Sequence, residues 1–293
     1  MNVVVYTLNA FAKGERGGNP AGVVLEGEDL SLDASEMQLI AKELGFSETA
    51  FMEKSKLANY KISYFTPASE VDLCGHATIA AFGLMHSLGL AEVGASYTIE
   101  TKAGILDVDI NSEGLVYLSQ ALPQFFERVS CEEIAPSLGM DPETLESELP
   151  IQIVSTGLRD ILIPIRSRKL LNEVHPNFDA ITAISKKYDV VGYHLFTLDT
   201  PDNATAECRN FAPLYDIPEE SATGTSNGAL LSYLYQHGQR SLEEVEHVMF
   251  RQGYSMGCPS EIKAELRLSE RGVIKQVRVG GTVAGIERRH IMI

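Results

Sequence analysis

The chain has no apolar run approaching the roughly 18 residues of a membrane span, and its first residues, Met1-Asn2-Val3-Val4-Val5-Tyr6, lack the basic stretch that opens a signal peptide. Neither a membrane anchor nor export is therefore expected. Cysteine is scarce: four in 293 residues, Cys74, Cys131, Cys208 and Cys258, with no CxxC spacing. That argues against a disulfide framework and points to reduced thiols in a cytoplasmic protein. Basic residues number 24 against 40 acidic ones, a net charge of −16, which speaks against nucleic acid and anionic membrane as partners. Asn203-Ala204-Thr205 matches a glycosylation sequon, which carries no meaning without export. GxGxxG, GxxxxGK(S/T), HExxH and GxSxG are missing, so nothing suggests a nucleotide, a metal or a covalent serine.

What is present is one pattern written twice. Phe65-Thr66-Pro67 leads to Cys74-Gly75-His76, and Gly89 follows Gly75 by 14 residues. Phe211-Ala212-Pro213 leads to Thr223-Gly224-Thr225, and Gly238 follows Gly224 by 14 residues. Residues 77–89 and 225–238 contain no Asp, Glu, Lys or Arg. A helix uncharged on every face is surrounded by protein. Two related halves are expected, each curled round one buried helix, with a site between them. The length suits two domains. We place them at 1–121, completed by the C-terminal strand 282–293, and at 122–281, with the boundary near Pro123.

The remaining segments read mostly as strands: 3–11, 21–25, 60–65, 97–101, 105–110, 115–119, 151–155, 161–165, 192–198, 261–268 and 274–279. Asp33-Ala34-Ser35-Glu36 has capping-box spacing, with Met37, Ile40, Ala41 and Leu44 at helical intervals and Gly45 as the stop. Surface helices are expected at 131–138, 177–187 and 241–250. The fold class is α+β: two pseudo-symmetric domains, each a barrel-like mixed or antiparallel sheet around a central helix.

Helix starts offer unpaired N–H groups and a partial positive charge, so Gly75-His76-Ala77 and Gly224-Thr225-Ser226 are candidate anion sites. Each glycine can equally just turn the chain into a core helix. Phe46 to Phe51 reads as a strand that puts Glu48 on one face with Phe46 and Ala50. Desolvation there would raise its pKa and suit it to acid–base work, whereas an edge strand would leave it a surface Glu. Glu219-Glu220 is a solvated turn, a capping cluster or a second acid–base group. His76 is a switchable donor or a satisfied core imidazole. Cys74, at a helix start, has a thiol that could act as base or nucleophile, but its counterpart in the other half is Thr223. The other histidines show no metal-ligand spacing and read as structural.

With these residues assembled, the chain resembles the phenazine-biosynthesis (PhzF-like) family, which has the diaminopimelate-epimerase-like fold. The likeness runs nearly end to end. It rests on Phe11…Gly18-Asn19-Pro20-Ala21-Gly22-Val23, Ser47-Glu48-Thr49-Ala50-Phe51, Phe65-Thr66-Pro67…Glu70…Leu73-Cys74-Gly75-His76-Ala77-Thr78 and Phe211-Ala212-Pro213…Ile217 to Thr225. The resemblance implies a cofactor-free and metal-free isomerase, a homodimer, with its site in the cleft between two similar domains. It acts on a small carboxylic acid, a cyclic dihydro-hydroxyanthranilic acid in the characterised member. It also implies Glu48 as the catalytic acid–base, with His76 and Glu220 polarising substrate. Substrate contacts would come from Ser47, Gly75, Ala77, Thr223, Gly224 and Thr225. Glu220 stands where the phenazine enzyme has Asp, and Thr225 where it has Ser. Cys74 matches the first catalytic Cys of diaminopimelate epimerases and proline racemases, while Thr223 sits at their second. A Cys-based amino- or imino-acid epimerase or dehydratase, and a non-catalytic binder of small anions, are the alternative expectations.

Overall fold

The computed structural model describes residues 1–27, 30–145 and 148–293. The chain forms two compact units, residues 1–119 with 280–293, and residues 120–279.

The first unit contains β1 (Asn2–Ala10), β2 (Asn19–Leu25), α1 (Ala34–Leu44), β3 (Thr49–Lys54), β4 (Tyr60–Phe65), β5 (Glu70–Val71), α2 (Gly75–Ser87), β6 (Ser96–Thr101), β7 (Gly104–Ile110) and β8 (Val116–Gln120). The second follows with β9 (Gln124–Arg128), α3 (Cys131–Ile134), β10 (Gln152–Ser155), β11 (Arg159–Pro164), α4 (Arg168–Asn172), α5 (Phe178–Tyr188), β12 (Gly192–Thr197), β13 (Ala206–Ala212), β14 (Ile217–Glu220), α6 (Gly224–Gln236), β15 (Val248–Gln252), β16 (Ser260–Leu268) and β17 (Ile274–Gly281). Then β18 (Val283–Met292) pairs with β1 in the first unit. The protein is thus sheet-rich α+β with few helices.

The sheets are mixed for a simple reason. A parallel pair needs a crossover, and each parallel pair has helix between its strands. β2 and β3 are joined through α1, and β4 and β6 through α2. β11 and β12 are joined through α4 and α5, and β13 and β15 through α6. Successive strands without a helix between them pair antiparallel, as β3–β4, β6–β7 and β12–β13 do. α2 packs against β1, β2, β3 and β18, and α6 against β10 and β16.

Both uncharged segments are helices of 13 residues, and both are enclosed: 76–85 and 226–234 are buried throughout. Each ends just before a glycine in the left-handed region, Gly89 at φ 71° and Gly238 at φ 70°. α1 forms as its sequence signals predict. Asp33 accepts from Ser35 and Glu36, the Glu36 side chain returns to Asp33 N, and Gly45 closes the helix at φ 68°. Its inner face of Met37, Ile40 and Ala41 packs with Val3, Val5, Phe51 and Phe65.

Three expectations need correction. The strand expected from Phe46 begins only at Thr49; 46 and 47 form a bend and Glu48 links it to the strand. The left-handed turn at Gly45 brings the chain in at an angle, and Gly22 N donates to Glu48 O at 3.2 Å before the ladder opens with Gly22 opposite Thr49. The face alternation therefore does not reach Ser47 or Glu48, and Thr49 to Met52 are buried on both faces. The helix expected at 241–250 is a turn followed by β15. Ser241 N does bond the Glu244 side chain, but His247 turns left-handed at φ 62° and the chain then pairs with β13 and β16. The helix expected at 131–138 is α-helical only to Ile134 and tightens into a 3₁₀ turn, Ala135–Leu138, around Pro136.

Among the described residues, no helix is long and apolar enough to cross a membrane.

Candidate active site

The N-termini of α2 and α6 are built unlike the other long helix starts. Side chains cap α1 and α5, through Asp33 and Asn177. Cys74 and Thr223, at the N-caps of α2 and α6, make no side-chain cap bond. Their side chains are used elsewhere, so the first-turn amides are left to other acceptors.

In the first unit, Cys74 Sγ lies 3.4 Å from His76 Nδ1. On the ring's other edge, His76 Nε2 lies 3.5 Å from Glu48 Oε2 and 3.5 Å from Ser47 Oγ. His76 and Cys74 are buried; Glu48 and Ser47 are half-buried. Glu48 Oε2 is itself shielded from solvent and makes no hydrogen bond. The bend at 46–47, which Glu48 follows, and not a strand face, turns this carboxylate toward the helix start. Thr78 Oγ1 donates to Cys74 O at 2.7 Å and meets the buried Tyr64 hydroxyl at 2.6 Å, which fixes the turn from below. Burial drives the Tyr64 phenol upward and keeps it neutral. Ala77 is buried in the first helical turn, and a Cβ built on Gly75 would meet nothing within 4 Å. The Glu48, Cys74 and His76 donor atoms lie within 4.8 Å of one another, so a cation could be held there. The imidazole presents opposite nitrogens to Cys74 and Glu48, so it could lend only one of them to such an ion.

In the second unit, Thr223 Oγ1 donates to Glu220 Oε2, and Thr223 and Thr225 are half-buried beside the buried Gly224. Glu219 is set apart from its neighbour. Arg209 holds it bidentately through one guanidinium edge, Nε and Nη2, at 2.8 and 2.9 Å, and Ser255 donates to it at 2.6 Å. Beneath the helix start runs a polar chain that sequence reading passed over. Ser226 donates to Asp160 at 2.6 Å, and Asn210 Nδ2 contacts Ser226 and His194 Nδ1 at 3.2 Å each. Burial, with the Glu220 charge as a further cause, pushes the Asp160 carboxyl up to about 7. Burial pushes His194 down to about 3, so it is neutral. Gln252 and Asn227 were also passed over. Asn227 had one sequence signal, its place beside Ser226 in an uncharged helix; Gln252, at the end of β15, had none.

The profile of the phenazine biosynthesis-like protein family (PhzC-PhzF) matches residues 8–288, and the chain belongs to that family. It is 34% identical to an uncharacterized isomerase of Bacillus subtilis, YfhB, over 99% of this chain and 98% of the relative. It is 28% identical to the trans-2,3-dihydro-3-hydroxyanthranilate isomerase of Pseudomonas chlororaphis, over 86% of each. The crystal structure of a Bacillus anthracis PhzF-family phenazine biosynthesis protein superposes over the full length of both chains with TM-score 0.89 at 30% identity. A probable proline racemase from Agrobacterium radiobacter shares the fold alone, at TM-score 0.65 and 12% identity over 99% of this chain and 93% of that one. The protein is an isomerase with the fold of the PhzF-family structures.

Proposed function

We propose that the protein moves a proton between carbons of a small carboxylic acid, with Glu48 as the group that removes and returns it. The observation that carries this is the Glu48 carboxylate oxygen, shielded from solvent, without a hydrogen bond, and 3.5 Å from His76 Nε2 at an uncapped helix start. A carboxylate so placed is free to take a proton from substrate, while His76 polarises the group that accumulates charge. Glu220 is assigned a second polarising role. Ser47, Gly75, Ala77, Thr223, Gly224 and Thr225 are assigned to substrate; the donors to its carboxylate come from residues other than Thr223, whose hydroxyl and amide hydrogens go to Glu220 and Gln252. The chemistry asks only for side chains and main-chain donors, and no cofactor takes part in it. Each compact unit is taken as one half of a pseudo-symmetric epimerase-like pair. A homodimer in the cytoplasm belongs to the same proposal.

The test is solvent-deuterium exchange into a panel of small cyclic and acyclic carboxylic acids, starting with the named substrate of the Pseudomonas chlororaphis relative. Glu48→Gln is expected to lower exchange by about 10²–10⁴ while folding normally. Exchange at the native rate in that variant removes Glu48 from the mechanism.

A second reading rests on Cys74, whose sulfur sits 3.4 Å from the His76 ring. It is a thiol-based epimerase or dehydratase, with the Thr223 hydroxyl as partner. Alkylation of Cys74 that abolishes exchange, and that substrate prevents, would favour it over Glu48. Ligand-induced thermal stabilisation without exchange would leave a binder of small anions.

A further inference from the structure

Gln252 is the last residue of β15 and is wholly buried. Its carboxamide makes four bonds, three to the turn that carries Glu220 into α6 and one to Asn227 in the first turn of that helix. Oε1 accepts from Thr223 N at 3.2 Å and from Asn227 Nδ2 at 2.9 Å. Nε2 donates to Glu220 O at 2.8 Å and to Thr223 Oγ1 at 3.1 Å. Two of the four partners are main-chain groups that cannot exchange roles: an N–H only donates and a carbonyl only accepts. They fix which end of the amide is nitrogen. The nitrogen therefore faces the Thr223 hydroxyl as a donor and occupies a lone pair on it. The one hydroxyl hydrogen goes to the only other partner that this hydroxyl has among the described residues, the Glu220 carboxylate.

The backbone is shaped for this clamp. Gly253 follows at φ 78°, and a Cβ there would sit 2.7 Å from Ser221 O and 3.1 Å from Ser221 Cα. Only glycine lets the end of β15 pass against the turn at this distance while adopting a left-handed φ.

We propose that Gln252 is a positioning residue: it aims the Thr223 hydroxyl as a donor at Glu220 and so holds Glu220 as an ionised acceptor. Granted the proton-transfer role proposed above, Glu220 then meets substrate as a hydrogen-bond acceptor and Glu48 supplies the proton movement. The charged and titratable groups on the elements around Glu220 are otherwise committed. Arg209 on β13 is bound to Glu219, and Arg251 on β15 to Asp202 and Glu207. Cys208 on β13 is driven well up by burial, and His194 on β12 is neutral. α6 carries no charge. Asp160 on β11 is a neighbour that titrates near neutrality.

The test is a carboxyl-carbon NMR titration of protein labelled only at glutamate, with the Glu220 signal assigned by Glu220→Gln; Asp160 is then silent. Removing a hydrogen bond to the ionised form should raise the Glu220 midpoint by about one pH unit or more in Thr223→Val. Thr223→Ser should restore the native midpoint. Gln252→Met should raise it as Thr223→Val does, with Thr223 itself intact. A native midpoint in folded Gln252→Met or in Thr223→Val overturns the proposal. If Gln252→Met does not fold, the wild-type protein decides: the Gln252 side-chain amide signals should titrate with Glu220 and stop doing so in Thr223→Val, and signals indifferent to Glu220 overturn it. No substrate is involved, so this outcome is separate from the fate of Glu48→Gln.

Discussion

Asp160→Asn should change how the stability of this protein depends on pH, and the size of the change follows from where the carboxyl sits. Asp160 is 2% exposed on β11. Its proton is lost near 3.8 in an unfolded chain and at about 7 in the folded one, chiefly because burial disfavours the charge. Between those values the folded state holds a proton that the unfolded state has released, so stability falls as pH rises. The contribution is fully present below 3.8 and lost once pH passes about 7. That interval corresponds to about 4 kcal/mol at roughly 1.4 kcal/mol per pH unit. Asparagine keeps an oxygen for Ser226 and cannot ionise, so the variant lacks this slope. Urea unfolding of both proteins from about pH 4 to about pH 8, followed by far-ultraviolet circular dichroism, gives the two curves. Relative to wild type, the variant should gain about 4 kcal/mol across that range, most of it above about pH 5. Glu220→Gln should recover part of the gain, because the Glu220 charge adds to the rise at Asp160. Parallel curves for wild type and Asp160→Asn would show that the buried carboxyl does not titrate as the structure requires.

Two further perturbations test packing and buried charge. Phe82→Ala removes a fully buried ring from α2, one that meets Tyr60 at 6.0 Å and Tyr97 at 5.4 Å between centroids, and should cost about 3–5 kcal/mol in chemical denaturation. Arg209→Ala strands the Glu219 carboxylate and the carbonyls of Leu171 and Val174 that its guanidinium serves, and should cost about 3–5 kcal/mol, with Glu219→Gln in the same background restoring part of it.

Local signals proved legible where the physics is local. The Asp33–Glu36 box and Gly45 set both ends of α1 because each acts within a few residues. The absence of charge in α2 and α6 told that they are enclosed, since no face could meet water. Elsewhere local signals misled. Ser241 and Glu244 have the spacing of a helix start and do form that bond, yet Val248 and Phe250 gain more from joining β13 and β16 in a ladder than from a helix on the surface. β13 was not foreseen at all. Glu207 and Arg209 make it read as polar, and their partners, the buried Arg251 and the half-buried Glu219, lie elsewhere in the chain. The polar groups under the α6 start share the same difficulty: Asp160 is 66 residues from Ser226, and Gln252 is 29 from Thr223.

The sequence by itself determined the family, the isomerase class, the sheet-rich α+β character and the enclosure of two uncharged helices, because motif identity, composition and short-range hydrogen bonding are properties of neighbouring residues. Only the tertiary structure decided that Glu48 arrives after a bend beside His76, that Asp160 is stripped of water, and that Gln252 grips the turn before α6. Those facts depend on which distant strands lie side by side, and pairing between segments far apart in the chain leaves no mark on either segment alone.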